Sequence, residues 1–436
     1  MSVPLDRLYN HLDGLCNHDA IIYRWTVHGS KKLEDIYPLY TECELDWFSM
    51  LTKPLMLMHD QEPLNFDLYT ENTIVEAINN WSTKMTGSDA TIRSWVQDLN
   101  LRVFFGQSRY SLYDRTLLVH SEQNSSNLVQ YEQAGFVGVY WWAHAAIALD
   151  WYRYAQHDPE LTFDPANITQ DFLIYNRAWS GSREYRLKFT ELVVNTGLQP
   201  HCLMRFSPDC DNQNYQNFKF ANPALSVSRF DLENYFDPAT VDANASADYN
   251  NQDYQSTAIE VVLETLFDDT RCHLTEKTLR PIACGKPFML AASAGSLSYL
   301  RRYGFETFGE FIDESYDTVQ DPAERLQRIC TEMQRIAKLP QDEKMQLWTN
   351  LYKIAQRNQQ LFFSAKWQQS IFQEFVVNYN SAMYTMKQHC TGKHWKKLQT
   401  QTQENSQEFW DNMPVLHRLK SSLDNHAQIQ AWIDSQ

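Results

Sequence analysis

Short apolar runs of strand length recur along the chain, and polar or charged residues follow each of them. Such runs occupy residues 55–58, 116–119, 136–141, 172–175 and 258–263. Strands buried on both faces of a parallel sheet have this continuous apolar character, and stretches of helical period lie between several of the runs. The sequence therefore predicts an α/β fold. Because ligands gather at the carboxyl ends of parallel strands, the residues after each run are the first candidates for a site.

The order of these runs divides the chain into two blocks. Around residues 156–159 the composition turns polar, and a second series of strand and helix patterns begins after residue 167. From Pro322 onward, spaced Leu, Ile, Phe and Trp in a polar background predict helices. We therefore expect two Rossmann-like domains that face a cleft, over residues 1–158 and 159–335. A helical region over 336–436 is expected to pack on or back across them.

The charge balance and the cysteine pattern narrow the class of protein. With 436 residues and a formal net charge of −16, the chain is unlike a general nucleic-acid-binding protein, although a local basic groove is compatible with it. No apolar run has the length of a membrane span, and the first residues lack a signal-peptide pattern. The eight cysteines form no CxxC pair and no zinc-type cluster. We therefore expect a cytoplasmic protein with reduced thiols and no metal site.

The segment with the clearest chemistry is Thr275-Glu276-Lys277, which stands at a predicted helix start between two predicted strands. A helix N-terminus carries unpaired N–H groups and the positive end of the helix dipole, so it holds anions well. Lys277 adds a full charge that suits a phosphate, and the carboxylates of Glu264 and Glu276 suit sugar hydroxyls. The segment therefore predicts a site for a nucleotide-diphosphate sugar. The alternative is an exposed capped helix, with Thr275 as the N-cap and Lys277 in solvent.

A second candidate lies in the loop that follows residues 172–175. The loop contains Asn176, a Gly-Ser turn, and the two arginines Arg183 and Arg186. A guanidinium fork matches the geometry of a phosphate, and a turn before a predicted helix brings backbone N–H groups to the same place. We expect these residues to hold the donor phosphates, and an ordinary loop with surface arginines is the alternative.

Together, these segments resemble the α1,3/α1,4-fucosyltransferases over roughly residues 170–320. That family has an acid at a strand end, a Thr-Glu-Lys sequence, an amphipathic helix, and Gly and Pro before an apolar strand. In the family, an Asn and a nearby Arg upstream approach the donor phosphates. The matching residues here are Glu264, Thr275, Glu276, Lys277, Gly285, Pro287, Asn176, Arg183 and Arg186. The chain has Thr265-Leu266 where the family has Asn-Ser after the acid, so the resemblance leaves the sugar open.

The chain is also similar to uncharacterised glycosyltransferase-like proteins of bacteriophages, over residues 274–288, 304–308 and 313–317. These resemblances imply a GT-B glycosyltransferase, a fucosyltransferase-like hexosyl- or pentosyltransferase that works with inversion and without a metal. The implied donor is a nucleotide sugar used as co-substrate, with no further cofactor, and the implied acceptor is a glycan or another hydroxyl compound. For a viral chain, the cytoplasm is that of the host.

An inverting transferase needs a base that takes the proton of the acceptor hydroxyl. Carboxylates that follow the runs at 55–58 and 116–119 suit this role, and the candidates are Asp60, Glu62 and Glu122. On the acceptor side, the aromatic segment at 140–142 offers Trp142 for stacking, and His144 follows it. The alternatives are a helix-capping turn at Asp60, core packing of the tryptophan and a structural histidine.

Two other functions are compatible with the same residues. A phage enzyme that transfers sugar to hydroxymethylated DNA bases needs base flipping and a basic track, and the net charge argues against DNA as the partner. The second alternative is a noncatalytic protein with a degenerate transferase fold, which binds nucleotides or sugars without turning them over. Nucleotide binding followed by turnover distinguishes an enzyme from that second alternative.

Overall fold

The computed structural model of the chain describes residues 11–12, 14–17, 21–24, 37–38, 55–59, 116–123, 125, 128–129, 132, 137–238 and 249–389. The chain forms two compact units. Of the described residues, those in Glu122–Ser125 and Trp142–Ile371 belong to unit 1, and the others belong to unit 2. Unit 1 thus includes residues on both sides of the predicted domain limits at 158 and 335.

Unit 2 contains a five-stranded sheet. Its strands are β1 (Ile21–Arg24), β2 (Tyr37–Pro38), β3 (Leu55–His59), β4 (Thr116–His120) and β5 (Val137–Tyr140). Their order is β2-β1-β3-β4-β5, and every neighbouring pair is parallel except β1 with β2. Leu117 and Leu118 of β4 are both fully buried, which explains why this strand is apolar on successive residues. The strands predicted at 55–58, 116–119 and 136–141 are thereby confirmed.

Unit 1 contains a second five-stranded sheet, in which all neighbouring strands are parallel. In chain order the strands of unit 1 are β6 (Gln170–Asn176), β7 (Cys202–Phe206), a separate hairpin of β8 (Asp209–Cys210) and β9 (Gln213–Asn214), and then β10 (Asp237–Pro238), β11 (Thr257–Leu263) and β12 (Phe288–Ala291). The order across the sheet is β10-β7-β6-β11-β12. Counted along the chain this is 3-2-1-4-5, the order of doubly wound nucleotide-binding sheets. The predicted α/β class is therefore confirmed.

The described residues also form eight α-helices. They are α1 (Ala143–Trp151), α2 (Tyr185–Asn195), α3 (Asn251–Ser256), α4 (Glu276–Ala283), α5 (Ser296–Arg302), α6 (Pro322–Ala337), α7 (Gln341–Phe362) and α8 (Ala365–His389). Helix α2 confirms the helix predicted after the arginine loop, and α6 to α8 confirm the helices predicted after Pro322 as far as residue 389. Within the described ranges, no helix has the length and apolar character needed to cross a bilayer.

A buried ion pair joins α4 to the sheet of unit 1. Arg280 Nη2 of α4 lies 2.5 Å from Glu260 Oε1 of β11, and 4% and 1% of the two side chains are exposed. The second oxygen of Glu260 accepts a hydrogen bond from the Tyr254 hydroxyl at 2.5 Å, and the guanidinium carbon of Arg280 lies 4.7 Å from the ring centroid of Tyr175. Each charge is therefore matched inside the core, so neither the arginine nor the carboxylate is available to a ligand.

We expect Arg280→Met to lower the free energy of unfolding by about 3–5 kcal/mol, because Glu260 is then left charged and buried without its partner. The double variant with Glu260→Leu should recover part of this loss, since no uncompensated charge is left. Urea-induced unfolding measures both.

The matched control is Arg328→Ala, because Arg328 pairs with Glu324 on an exposed helix face, at 2.6 Å. Loss of such a pair changes stability by about 1 kcal/mol or less. If Arg280→Met is no more destabilising than this control, the buried pair does not hold α4 to the sheet.

Candidate functional site

The order of strands in unit 1 reverses between β6 and β11, and the carboxyl ends of these two neighbours meet at one edge of the sheet. β6 ends at Asn176, and Glu264 follows directly after β11. In doubly wound folds, ligands bind in the crevice at this reversal of strand order. The structure therefore brings together two segments that the sequence had assigned separately to the donor.

Arg186 connects the two strand ends. Its Nη1 donates to the carbonyl of Ala178 at 2.6 Å, and its Nη2 donates to the carbonyls of Leu263 and Glu264 at 2.7 and 3.0 Å. The side chain is buried, and its Nε has no hydrogen-bond partner among the described residues. No described carboxylate pairs with it, so Arg186 brings a positive charge to this edge that only carbonyl dipoles offset.

The carboxylate of Glu264 occupies the start of α4. Its Oε1 accepts from the Thr275 backbone N–H at 2.9 Å and from the Thr278 hydroxyl at 2.6 Å. Its Oε2 accepts from the Thr265 N–H at 3.0 Å and from the Thr275 hydroxyl at 2.8 Å. Glu264 is fully buried.

These contacts correct the role assigned to Glu264. Both of its oxygens hold the helix start, so it positions that helix and does not present a free carboxylate to a sugar. The N–H groups assigned to a donor phosphate already face an internal anion. The expected N-cap is present, because Thr275 Oγ1 accepts from the Lys277 N–H at 3.3 Å.

Glu276 and Lys277 form an ion pair in the first turn of α4, with Nζ 2.6 Å from Oε1. The second oxygen of Glu276 lies 3.6 Å from Nδ1 of His144. Burial by itself raises the pKa of the Glu276 carboxyl, but the charges of Lys277 and His144 outweigh it and the pKa falls to about 2. The structure thus places the predicted acceptor-side histidine against a predicted donor-side acid.

Trp142 is a structural residue and does not offer a stacking surface. The ring is fully buried and packs against Tyr299 and Tyr303, at centroid distances of 5.1 and 4.5 Å. Its indole Nε1 donates to the carbonyl of Leu274 at 2.8 Å. An aromatic residue that stacks on an acceptor needs an exposed face, so the expectation of acceptor stacking by Trp142 is corrected in favour of core packing.

Arg183 lies in the turn before α2, half-buried, with its Nε donating to the carbonyl of Ser180 at 3.2 Å. Asn176 is fully buried, and its Nδ2 donates to the carbonyl of Arg186 at 3.0 Å and to the Thr190 hydroxyl at 2.8 Å. Its Oδ1 has no hydrogen-bond partner among the described residues. Asn176 thus binds the end of β6 to the first turns of α2.

Sequence reasoning did not select Arg177, which directly follows β6. It is half-buried, and no described residue forms a hydrogen bond or an ion pair with it. The ring of Tyr175 lies 5.9 Å from its guanidinium carbon. Burial lowers the pKa of Arg177, and the nearby charges of Arg280 and Arg186 lower it further. The sequence feature that could have selected Arg177 is its position immediately after a predicted buried strand.

Of the three predicted bases, Asp60 and Glu62 lie outside the described residues. Glu122 is described, and none of its side chain is exposed. Its Oε1 lies 3.0 Å from Arg271 Nη1, and its Oε2 accepts from the Ser125 hydroxyl at 2.9 Å. Gln123, the next residue, forms an antiparallel bridge with Cys272. Through these contacts, Glu122 and Gln123 hold their segment against residues 271–272.

Comparison with protein-family models, with curated proteins and with solved structures found no match to this chain. The resemblance to fucosyltransferases therefore stays a prediction that rests on the residues themselves. Across the described ranges, no group of three or more His, Cys, Asp or Glu side chains is placed to hold a metal ion. The arrangement at the ends of β6 and β11 can hold an anion through side-chain cations.

The low pKa of Glu276 predicts how stability responds to acid. A carboxyl that titrates at about 2 when folded, against an ordinary 4.5, binds its proton more readily in the unfolded chain. Its contribution is complete above about pH 4.5 and is lost as the pH falls toward 2. We expect the stability difference between the wild type and Glu276→Gln to shrink over that range in urea unfolding. Glu324→Gln serves as the exposed control, and a difference that is independent of pH contradicts the ion-pair assignment.

Proposed function

We propose that this protein is a glycosyltransferase of the GT-B type, which binds a nucleoside-diphosphate sugar in unit 1 at the ends of β6 and β11. The observation that carries the proposal is the pair Arg177 and Arg186. Both lie at the reversal of strand order, and neither has a carboxylate partner among the described residues. Two neighbouring guanidinium groups, one of them half-buried and without a hydrogen-bond partner among the described residues, favour a negatively charged ligand at this place.

The chemistry of guanidinium groups selects phosphate as that anion. The fork of Arg177 can donate to two phosphate oxygens at once, which suits a diphosphate better than a point charge does. Arg186, whose Nη1 and Nη2 already donate to carbonyls, contributes its positive charge. Lys277 supplies a third cation, with 22% of its side chain exposed. When the sugar leaves, charge grows on the diphosphate, and these three cations stabilise it in the transition state. Such cations can take the part of a metal ion in stabilising the leaving diphosphate, and inversion is what the resemblance to the fucosyltransferases implies.

The proposal gives α4 a different role from the one expected. Because Glu264 already fills the helix start, the phosphates are bound by side chains, and α4 serves to present Glu276 and Lys277. The acceptor is a hydroxyl compound such as a glycan, and the residues described do not select the sugar.

A panel of GDP, UDP, ADP and CMP tests the proposal by thermal shift and then by calorimetry. At least one nucleotide should stabilise the wild type. Arg177→Ala and Lys277→Ala should each raise its Kd about 10- to 100-fold, because each removes charge-assisted hydrogen bonds.

Arg328→Ala is the matched control, since it removes an equal charge from an exposed helix face. Its Kd should equal that of the wild type. The proposal is wrong if no nucleotide binds, or if Arg177→Ala and Lys277→Ala both behave like the control.

A further inference from the structure

A two-strand hairpin follows β7, the strand that pairs with β6 on the side away from β11. It consists of β8, β9 and the turn Asp211-Asn212 between them. Both turn residues have a positive φ, of 51° and 61°. Asp and Asn adopt this conformation more readily than most residues with a side chain, and two such residues in succession match the twist of a hairpin. The local sequence therefore specifies a defined hairpin at this edge of the sheet.

Three contacts hold the start of this hairpin segment and its turn against the loop that follows β6. The Ser207 N–H donates to the carbonyl of Asn176 at 3.0 Å, and the indole Nε1 of Trp179 donates to the carbonyl of Ser207 at 2.8 Å. The hydroxyl of Ser180 donates to Oδ2 of Asp211. The Asp211 carboxylate is thus held against the loop that begins with the half-buried arginine of the proposed donor site.

Asp211 retains an acceptor for a ligand. Its side chain is exposed, and no described residue donates a hydrogen bond to its Oδ1 or forms an ion pair with it. The other acid of the hairpin, Asp209, has its Oδ1 turned across the hairpin, where it accepts from Asn214 Nδ2 at 3.0 Å. Asp211 is therefore the acid of this hairpin that is bound to the β6 loop and still has an oxygen able to accept from a ligand.

We infer that Asp211 binds the ribose of the nucleoside diphosphate, with Oδ1 accepting a hydrogen bond from a hydroxyl of the ribose. The inference rests on the proposed function. In doubly wound nucleotide-binding sheets, the phosphates lie at the turn after the first strand, and an acid after the second strand accepts from the ribose. Here β6 is the first strand, with Arg177 after it, and β7 is the second, with Asp211 in the hairpin after it. A carboxylate repels phosphate, whereas it accepts readily from a hydroxyl.

This contact also sets the direction in which the ligand lies. The sheet places β7, β6 and β11 side by side in that order. With the ribose at the end of β7 and the diphosphate at the end of β6, the sugar to be transferred points toward the end of β11 and the start of α4. Glu276 and Lys277 stand at that helix start. The site should therefore select ribonucleotides over their deoxy analogues.

The experiment measures by calorimetry the Kd of the nucleoside diphosphate that the wild type binds most tightly, of its 2′-deoxy and 3′-deoxy analogues, and of inorganic pyrophosphate. The wild type should bind at least one deoxy analogue about 10- to 100-fold more weakly than the parent nucleotide, because a hydrogen bond to a charged group is lost. Asp211→Ala should weaken binding of the parent by about the same factor and bind the parent and that analogue equally. Its affinity for pyrophosphate should not fall, which also shows that the variant is folded.

Asp209→Ala is the matched control, because it removes the same charge from the same hairpin at the carboxylate that contacts Asn214. It should bind all four ligands like the wild type. The inference is overturned if Asp211→Ala binds the parent like the wild type, if it weakens the parent and both deoxy analogues equally, or if pyrophosphate binding falls with them.

The donor site and the ribose contact can fail separately. If a nucleotide binds and Arg177→Ala weakens it while Asp211→Ala does not, the donor site stands and the inference about the ribose is wrong. If the wild type binds no nucleotide, the proposed function itself fails and the inference fails with it.

Discussion

The rest of the site depends on the contact between the Glu264 carboxylate and the start of α4. Five donors from Thr265, Thr275 and Thr278 converge on its two oxygens, at 2.6–3.3 Å, in a fully buried position. This internal anion satisfies N–H groups that otherwise need an external partner. It also fixes the direction in which the first turn of α4 presents Glu276 and Lys277. The backbone carbonyl of the same residue receives Arg186, so a single residue at the end of β11 sets both halves of the site.

Cationic side chains in unit 1 differ in whether a carboxylate pairs with them. Arg280 is neutralised by Glu260, and Lys344 by Asp171 at 2.7 Å, so these cations complete the core. Arg177 and Arg186 occupy the reversal of strand order without a carboxylate among the described residues. The two ion pairs explain how unit 1 accommodates charged side chains in its core. The two arginines without a carboxylate are the reason to expect an anionic ligand at the ends of β6 and β11. Beside them, Lys277 forms an ion pair with Glu276 in the first turn of α4.

Much of the fold was predictable because it depends on local patterns. Continuous apolar runs identified β3, β4, β5, β6 and β11, and the helix at Thr275 begins where its capping chemistry indicated. The role of Glu264 was not predictable, because Thr275 and Thr278 are separated from it by the loop over residues 265–274, whose path the spacing does not reveal. Trp142 was misassigned because an aromatic sequence does not distinguish a packed ring from an exposed one. Arg177 was passed over because its lack of a partner is a property of the folded chain.

The central claim is that the cations at the ends of β6 and β11 bind the diphosphate of a nucleotide sugar. A crystal structure of the protein with a bound nucleoside diphosphate tests this most directly. Phosphate oxygens should lie within hydrogen-bond distance of the Arg177 guanidinium, with Lys277 Nζ turned toward the same group. Glu264 should keep its contacts with Thr275 and Thr278. A diphosphate bound elsewhere in the molecule, with Arg177 still unpaired, would contradict the claim.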